Sequence, residues 1–186
     1  MLWHAGASSV SISGIQLALA GGATEVYVTA GSQEKIDFCV SLGAKAGFNY
    51  HTQDWSAELL KATEGKGVDL IVDFIGAPYF QGNLNAAAFE GHIVTLGTMG
   101  GIKLPADVDI SPFLRKRIRY EGSTLRARNP EYQGRLRDSL EERLPLFSKG
   151  QLKVFVEKVF PWEQVIEAHK LMESNKTKGK IICTIP

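Results

Sequence analysis

Between the apolar stretch Leu2-Trp3 and a helical pattern that begins near Val10 lies a run of small residues, Gly6-Ala7-Ser8-Ser9-Val10-Ser11. A strand that turns sharply into a helix gathers backbone N–H groups and the positive end of the helix dipole at one point. That arrangement captures anions. In the G-x-G-x-x-G fingerprint of dinucleotide folds, glycines permit the tight turn, the approach of the pyrophosphate and the close packing of helix on strand. Only Gly6 matches here, so the bare fingerprint is poor. Its context supports it: a strand before, a helix after, and a second strand at the right distance. An ordinary strand-to-helix turn N-capped by Ser8 or Ser9 is the alternative, and the two readings are compatible.

The second strand, "EVYVTAG", bears on the choice of nucleotide. NAD sites usually place Asp or Glu at its carboxyl end, on the ribose hydroxyls. Glu25 has nearly the expected offset from Gly6, but it stands at the start of the strand. At the carboxyl end are Gly31, Ser32 and Gln33, with Lys35 close behind. A hydroxyl and an ammonium, read as a pocket without a carboxylate, suit a 2′-phosphate and favour NADP. The plainer alternative has Ser32 capping the next helix and Lys35 in solvent.

The elements that would position these residues alternate along the chain. "LWHAG", "EVYVTAG", "AGFNY", "VDLIVDFIG", "HIVTLGTMGG" and "RIRYEGST" read as strands. "VSISGIQLALAGG", "SQEKIDFCVSLGA", "WSAELLKATEGKG" and "YFQGNLNAAAFEG" read as the helices between them, several closed by glycine. Strand–helix alternation specifies an α/β fold with a doubly wound parallel sheet, Rossmann-like, with ligands at the carboxyl ends of the strands. The pattern changes at Asn129-Pro130: a longer charged helix, "PEYQGRLRDSLEERLPLFSKG", then strand, amphipathic helix and closing strand. The expected division is a Rossmann domain over 1–128 and a tail over 129–186 that belongs to another module.

Composition narrows the remaining classes. The 186 residues are 44% apolar, enough for a sizeable core, and the net charge of +1 gives no nucleic-acid face. No apolar run approaches ~18 residues, so no membrane span is expected. Two distant cysteines, Cys39 and Cys183, fit a reduced, cytoplasmic protein, and no leader pattern is visible at Met1. His4, His51, His92 and His169 show no ligand spacing, so no metal site is expected. No Ser/His/Asp constellation is readable, and no catalytic side chain can be named. Asp73 reads as a capped structural carboxylate at the ligand end of a buried strand.

Six blocks in order, "HAGASSVSISGIQLA", "VTAGSQEK", "LGAKAGFNY", "VDFIGAPYFQGNLNAAAFEGHIVTLGTMGG", "GSTLRAR" and "EAHKLMESNKTKGKI", resemble the quinone oxidoreductases of the zinc-independent medium-chain dehydrogenase/reductase superfamily. In that family the loop commonly reads "HAGASGVG", so Ser9 and Ser11 replace two glycines, and Ser11 must fit between helix and strand. The resemblance implies NADPH as cofactor, with Gly6, Ser8, Ser9, Val10 and Ser11 at the pyrophosphate loop. It places Gly31, Ser32, Lys35 and Tyr50 at the 2′-phosphate. It implies further that Phe74, Gly76, Gly97, Thr98, Met99 and Gly100 line the nicotinamide half, and that Leu125, Arg126 and Asn175 also contact the cofactor. It implies hydride transfer to a quinone or other conjugated carbonyl. It also implies a homodimer through the edge of the Rossmann sheet, the candidate edge being "RIRYEGST". By the same likeness the barrel-like catalytic domain is absent except for its returning portion. The chain is then a fragment or short isoform with little activity alone. Enoyl reduction and non-catalytic NADPH binding are the alternatives.

Overall fold

The computed structural model describes residues 1–186. The chain forms two compact units: Met1–His4 with Asp54–Lys153, and Ala5–Gln53 with Val154–Pro186.

In the first unit, strand β1 (Leu2–Trp3) pairs in parallel with β4 (Val68–Asp73), Leu2 opposite Ile71. Next come β5 (Ala87–Thr95) and β6 (Arg119–Gly122), giving the parallel order β1-β4-β5-β6. Helices α3 (Trp55–Ala62), α4 (Phe80–Ala86), α5 (Ser111–Lys116), α6 (Pro130–Glu141) and α7 (Leu144–Ser148) complete the unit. Leu2, Leu59, Ile71, Leu84 and Ile93 are fully buried and form its core.

In the second unit, β2 (Tyr27–Ala30) pairs in parallel with β3 (Ala46–Asn49). Helices α1 (Ser9–Ala20) and α2 (Gln33–Ser41) belong with them. Here too are β7 (Val156–Pro161), α8 (Val165–Glu173) and β8 (Lys180–Thr184), the two strands parallel. Ile15, Val26, Val28 and Cys39 are fully buried.

The fold is Rossmann-like α/β, as the alternation predicts, and it departs from the expected elements in three places. Ala87-Ala88-Phe89-Glu90 extends β5 rather than the helix before it. The register between β4 and β5 shifts between Val68 and Leu70, and Glu90 takes a left-handed φ of 61° to absorb the extra chain. The long charged helix divides into α6 and α7, because Pro145 has no N–H to continue the ladder past Glu141. Ser111–Lys116, outside the expected helices, forms the helix α5. No helix is long and apolar enough to cross a membrane.

Candidate functional site

The loop between β1 and α1 is shaped by contacts that glycine and serine alone provide. Gly6 N–H donates to Thr29 O at 2.8 Å. A Cβ on Gly6 would stand 2.7 Å from Val28 Cβ and 3.1 Å from Cys39 Sγ, so only glycine lets the loop lie this close to β2 and α2. Ser8 caps α1, its Oγ accepting Ser11 N–H at 3.3 Å. Its hydroxyl also reaches Ser11 Oγ at 3.1 Å. Ser11 is fully buried, with Ser8 Oγ beside both its N–H and its hydroxyl. Ser9 opens the helix, and Val10 is half exposed.

A cavity of about 320 Å³ opens at the carboxyl end of β2. It brings together Gly31, Ser32, Lys35, Tyr50 and Asn175, five of the residues singled out in the sequence. A Cβ on Gly31 would come within 2.6 Å of the Tyr50 hydroxyl, so glycine is what leaves room for the phenol. Ser32 does cap α2, with Oγ accepting Lys35 N–H at 3.3 Å. Lys35 is not adrift in solvent: its Nζ donates to Asn175 O at 2.6 Å, and burial pulls its pKa below the ordinary amine value. Asn175 takes a left-handed φ of 54° in the turn that presents this carbonyl.

Four further residues line the same cavity: Glu34, His51, Lys176 and Lys178. Glu34 corrects the expectation of a pocket without a carboxylate. It lies in the first turn of α2, where the sequence "SQEK" already carries it, and its Oε1 meets Lys178 Nζ at 2.5 Å. Three ammonium groups and one carboxylate leave two positive charges in excess. Glu25 is not among the lining residues; Tyr27 and Lys45 hold its carboxylate.

The other sequence-selected residues lie in the first unit. Two loops that follow β4 and β5 are zipped together: Met99 N–H donates to Phe74 O at 3.0 Å and Gly100 N–H to Ile75 O at 2.8 Å. Gly76 has φ 84° and ψ −132°, and a Cβ there would stand 2.7 Å from Gly101 O. The Asp73 carboxylate holds the turn by accepting Ile75 N–H at 2.7 Å and Gly76 N–H at 3.2 Å. Burial pushes its pKa up against those N–H groups, which favour the charge. A second cavity, about 570 Å³, is lined in part by Gly97, Thr98, Ser123, Thr124 and Arg128. Leu125 and Arg126 sit between lining residues without lining it themselves.

Behind Asp73 is a buried polar cluster. His4 Nε2 lies 2.7 Å from Asn83 Oδ1, and the imidazole meets Trp55 and Tyr79 edge-on at 4.8 and 4.7 Å. Burial lowers the His4 pKa from 6.5 to about 4, so the ring is neutral at pH 7. The Cys39 thiol is pushed up to about 12 by burial and is inert.

Comparison with known proteins assigns this architecture. The model of the zinc-binding dehydrogenase family matches residues 42–183, most of the chain. The chain belongs to that family. The family lies in the medium-chain dehydrogenase/reductase superfamily of oxidoreductases, which the alternation and the motifs resemble. Among curated relatives, the highly reducing polyketide synthase AN6791 of Emericella nidulans is 31% identical over all of this chain and 7% of its own length. Quinone oxidoreductase-like protein 2 of Bos taurus is 27% identical over 87% of this chain and 46% of its own. The chain thus spans about half, or far less, of the curated relatives it matches. Among solved structures, an NAD-dependent alcohol dehydrogenase superposes with TM-score 0.83 at 32% identity, over 100% of this chain and 50% of that one. The CurK enoyl reductase gives 0.81 at 28%, over 100% and 54%. Escherichia coli quinone oxidoreductase complexed with NADPH gives 0.80 at 26%, over 100% and 56%.

The family's zinc finds no site among these residues, because no three His, Cys, Asp or Glu side chains come together. A nucleotide finds a better match. The cavity beside Gly31 carries excess positive charge, which suits the phosphates of a nucleotide.

Proposed function

We propose that this chain is the NADPH-binding portion of an oxidoreductase that reduces a quinone or another conjugated carbonyl. The observation that carries the cofactor choice is the cavity at the end of β2, lined by Ser32, Lys35, Tyr50 and Lys178 with positive charge in excess. When bound, NADPH supplies a hydride. Gly6, Ser8, Ser9, Val10 and Ser11 would hold the pyrophosphate at the N-terminus of α1, where backbone N–H groups and the helix dipole favour negative charge. Gly31, Ser32, Lys35, Tyr50 and Asn175 would hold the adenosine 2′-phosphate. Phe74, Gly76, Gly97, Thr98, Met99 and Gly100 would border the nicotinamide half, with Leu125 and Arg126 nearby. The zipped loops after β4 and β5 suit this role because Asp73 fixes their backbone before any ligand arrives. Fixed groups need no reorganisation when charge develops.

The six sequence blocks favour the quinone oxidoreductases, in particular the NADPH-dependent member induced by a tumour suppressor. On that reading residues 1–128 are the cofactor domain and 129–186 the returning portion of a catalytic domain. The cell compartment is the cytoplasm, and the active form is a homodimer joined along β6. Enoyl reduction is the second reading, favoured by the match to a reducing polyketide synthase over the whole chain. The test follows NADPH oxidation at 340 nm with an ortho-quinone and with an enoyl thioester as acceptors. It uses the chain alone and the chain supplemented with the other half of a quinone oxidoreductase. Faster turnover of the quinone by the supplemented protein is the expected result. Preference for the thioester would transfer the assignment to enoyl reductase.

A further inference from the structure

Glu34 raises a question that the NADP reading, on which this inference rests, does not answer. A carboxylate beside a phosphate pocket should repel its ligand, as the acidic residue of NAD sites does. Here the carboxylate is paired, and the pair is lopsided. The Lys178 side chain is 27% exposed, whereas Glu34 is 78% exposed. The cation is sheltered and the anion is exposed.

Lys178 is also the better anchored partner. Its backbone N–H donates to Glu157 Oε2 at 2.9 Å. The next residue, Gly179, donates its N–H to Ala7 O at 3.2 Å and has φ 85°. A Cβ on Gly179 would stand 2.4 Å from Phe155 O, so this backbone has one place to lie. The Lys178 ammonium lies 5.7 Å from the centre of the Phe38 ring on α2. Lys35 is differently engaged, with one of its donors on Asn175 O. The cavity therefore contains one ammonium, that of Lys35, held by the turn before β8 and another, that of Lys178, whose partner carboxylate is exposed.

We propose that Lys178 is a specificity-determining residue, a 2′-phosphate ligand kept in place by Glu34 until the cofactor arrives. The incoming phosphate carries more negative charge than the carboxylate and takes over the ammonium, and Glu34 turns out into solvent. NAD offers a ribose hydroxyl instead, which cannot displace a carboxylate from an ammonium. Glu34 then stays paired, and the cavity gains nothing from NAD. The pair thus separates the two cofactors in a way that Ser32 and Lys35 alone do not.

Fluorescence titrations of NADPH and NADH into the full chain test this, using Lys178→Met, Glu34→Gln and the double variant. Lys178→Met should weaken NADPH by roughly tenfold or more, since it removes a charge-assisted contact and leaves Glu34 facing the phosphate, and should change NADH less than about twofold. Glu34→Gln should tighten NADPH by about threefold, and the double variant should bind it better than Lys178→Met does. Equal weakening of both dinucleotides by Lys178→Met, or unchanged NADPH affinity, would overturn the proposal. If Lys178→Met does not fold, Glu34→Gln decides alone: it disturbs no backbone contact, and no gain in NADPH affinity refutes the exchange. The wild-type preference for NADPH over NADH is a separate readout. Its absence defeats the NADP reading itself, whereas its presence with unresponsive variants defeats only the role of Lys178.

Discussion

Acid should destabilise this protein in a window set by His4. The imidazole is wholly buried, and its folded-state pKa is about 4 against an ordinary 6.5. The difference, 6.5 − 4 = 2.5 units, corresponds to about 3 kcal/mol at ~1.36 kcal/mol per unit. The folded pKa is depressed, so the unfolded chain takes up the proton first as the pH falls. The stability tied to neutral His4 is complete above pH 6.5 and declines as the pH drops toward 4. Asp73 works in the opposite sense. Its pKa is raised by burial, so it takes its proton more readily when folded and gains stability as the pH falls toward its ordinary value.

Comparing wild type with His4→Gln isolates the histidine, because Asp73 is common to both. Glutamine retains an N–H donor for Asn83 and does not titrate. Urea unfolding at pH 7 and pH 4.5 should show the wild type losing about 2 kcal/mol more than the variant between the two conditions. In the folded protein the His4 ring signals should not titrate near pH 6.5. An equal loss in both proteins, or a His4 titration at the free-imidazole value, would refute the argument from burial.

Lys35→Ala should weaken NADPH by roughly tenfold to a hundredfold, the worth of one charge-assisted phosphate contact, with a smaller effect on NADH; calorimetric titration checks this. Gly76→Ala should destabilise the protein by about 1–3 kcal/mol in chemical denaturation, since its φ of 84° is unsuited to a side chain and Gly101 O stands 2.7 Å from the new Cβ. Ser11→Gly should lower stability by about 1 kcal/mol, because the Ser8 contact is lost and glycine enters a helix, and it should not tighten NADPH. Sedimentation should show a homodimer at micromolar concentration: β6 closes the sheet order of its unit, and all four of its residues are exposed. A stable monomer would contradict that assembly.

The parallel strands were legible because buried strands read as apolar runs and glycine marks the ends of the helices between them. Gly21 does cap α1, and Asp73 does end β4 as a capped carboxylate. The loop serines were visible, but their consequence was not. Whether Ser11 crowds the helix depends on where Ser8 Oγ points, which requires coordinates. Local patterns also misplaced the start of β5. Ala87-Ala88 suits a helix by propensity, and only pairing with β4 makes it strand. The cavity at β2 was half readable. Gly31, Ser32 and Lys35 are neighbours in sequence, but Lys178 meets Glu34 across 144 positions, a contact no window of sequence displays. The clue available was the basic run "NKTKGK" just before the closing strand. Glu34 is present in "SQEK", but its charge bears on the cavity only through its pairing with Lys178.

On the proposed function, the cavity beside Gly31 receives a 2′-phosphate. Parallel titration of the wild-type chain with NADPH and NADH at low salt tests it most directly. NADPH should bind at least roughly tenfold tighter, and the preference should shrink as salt screens the lysines. Equal affinities, or tighter binding of NADH, would exclude a 2′-phosphate site in this cavity.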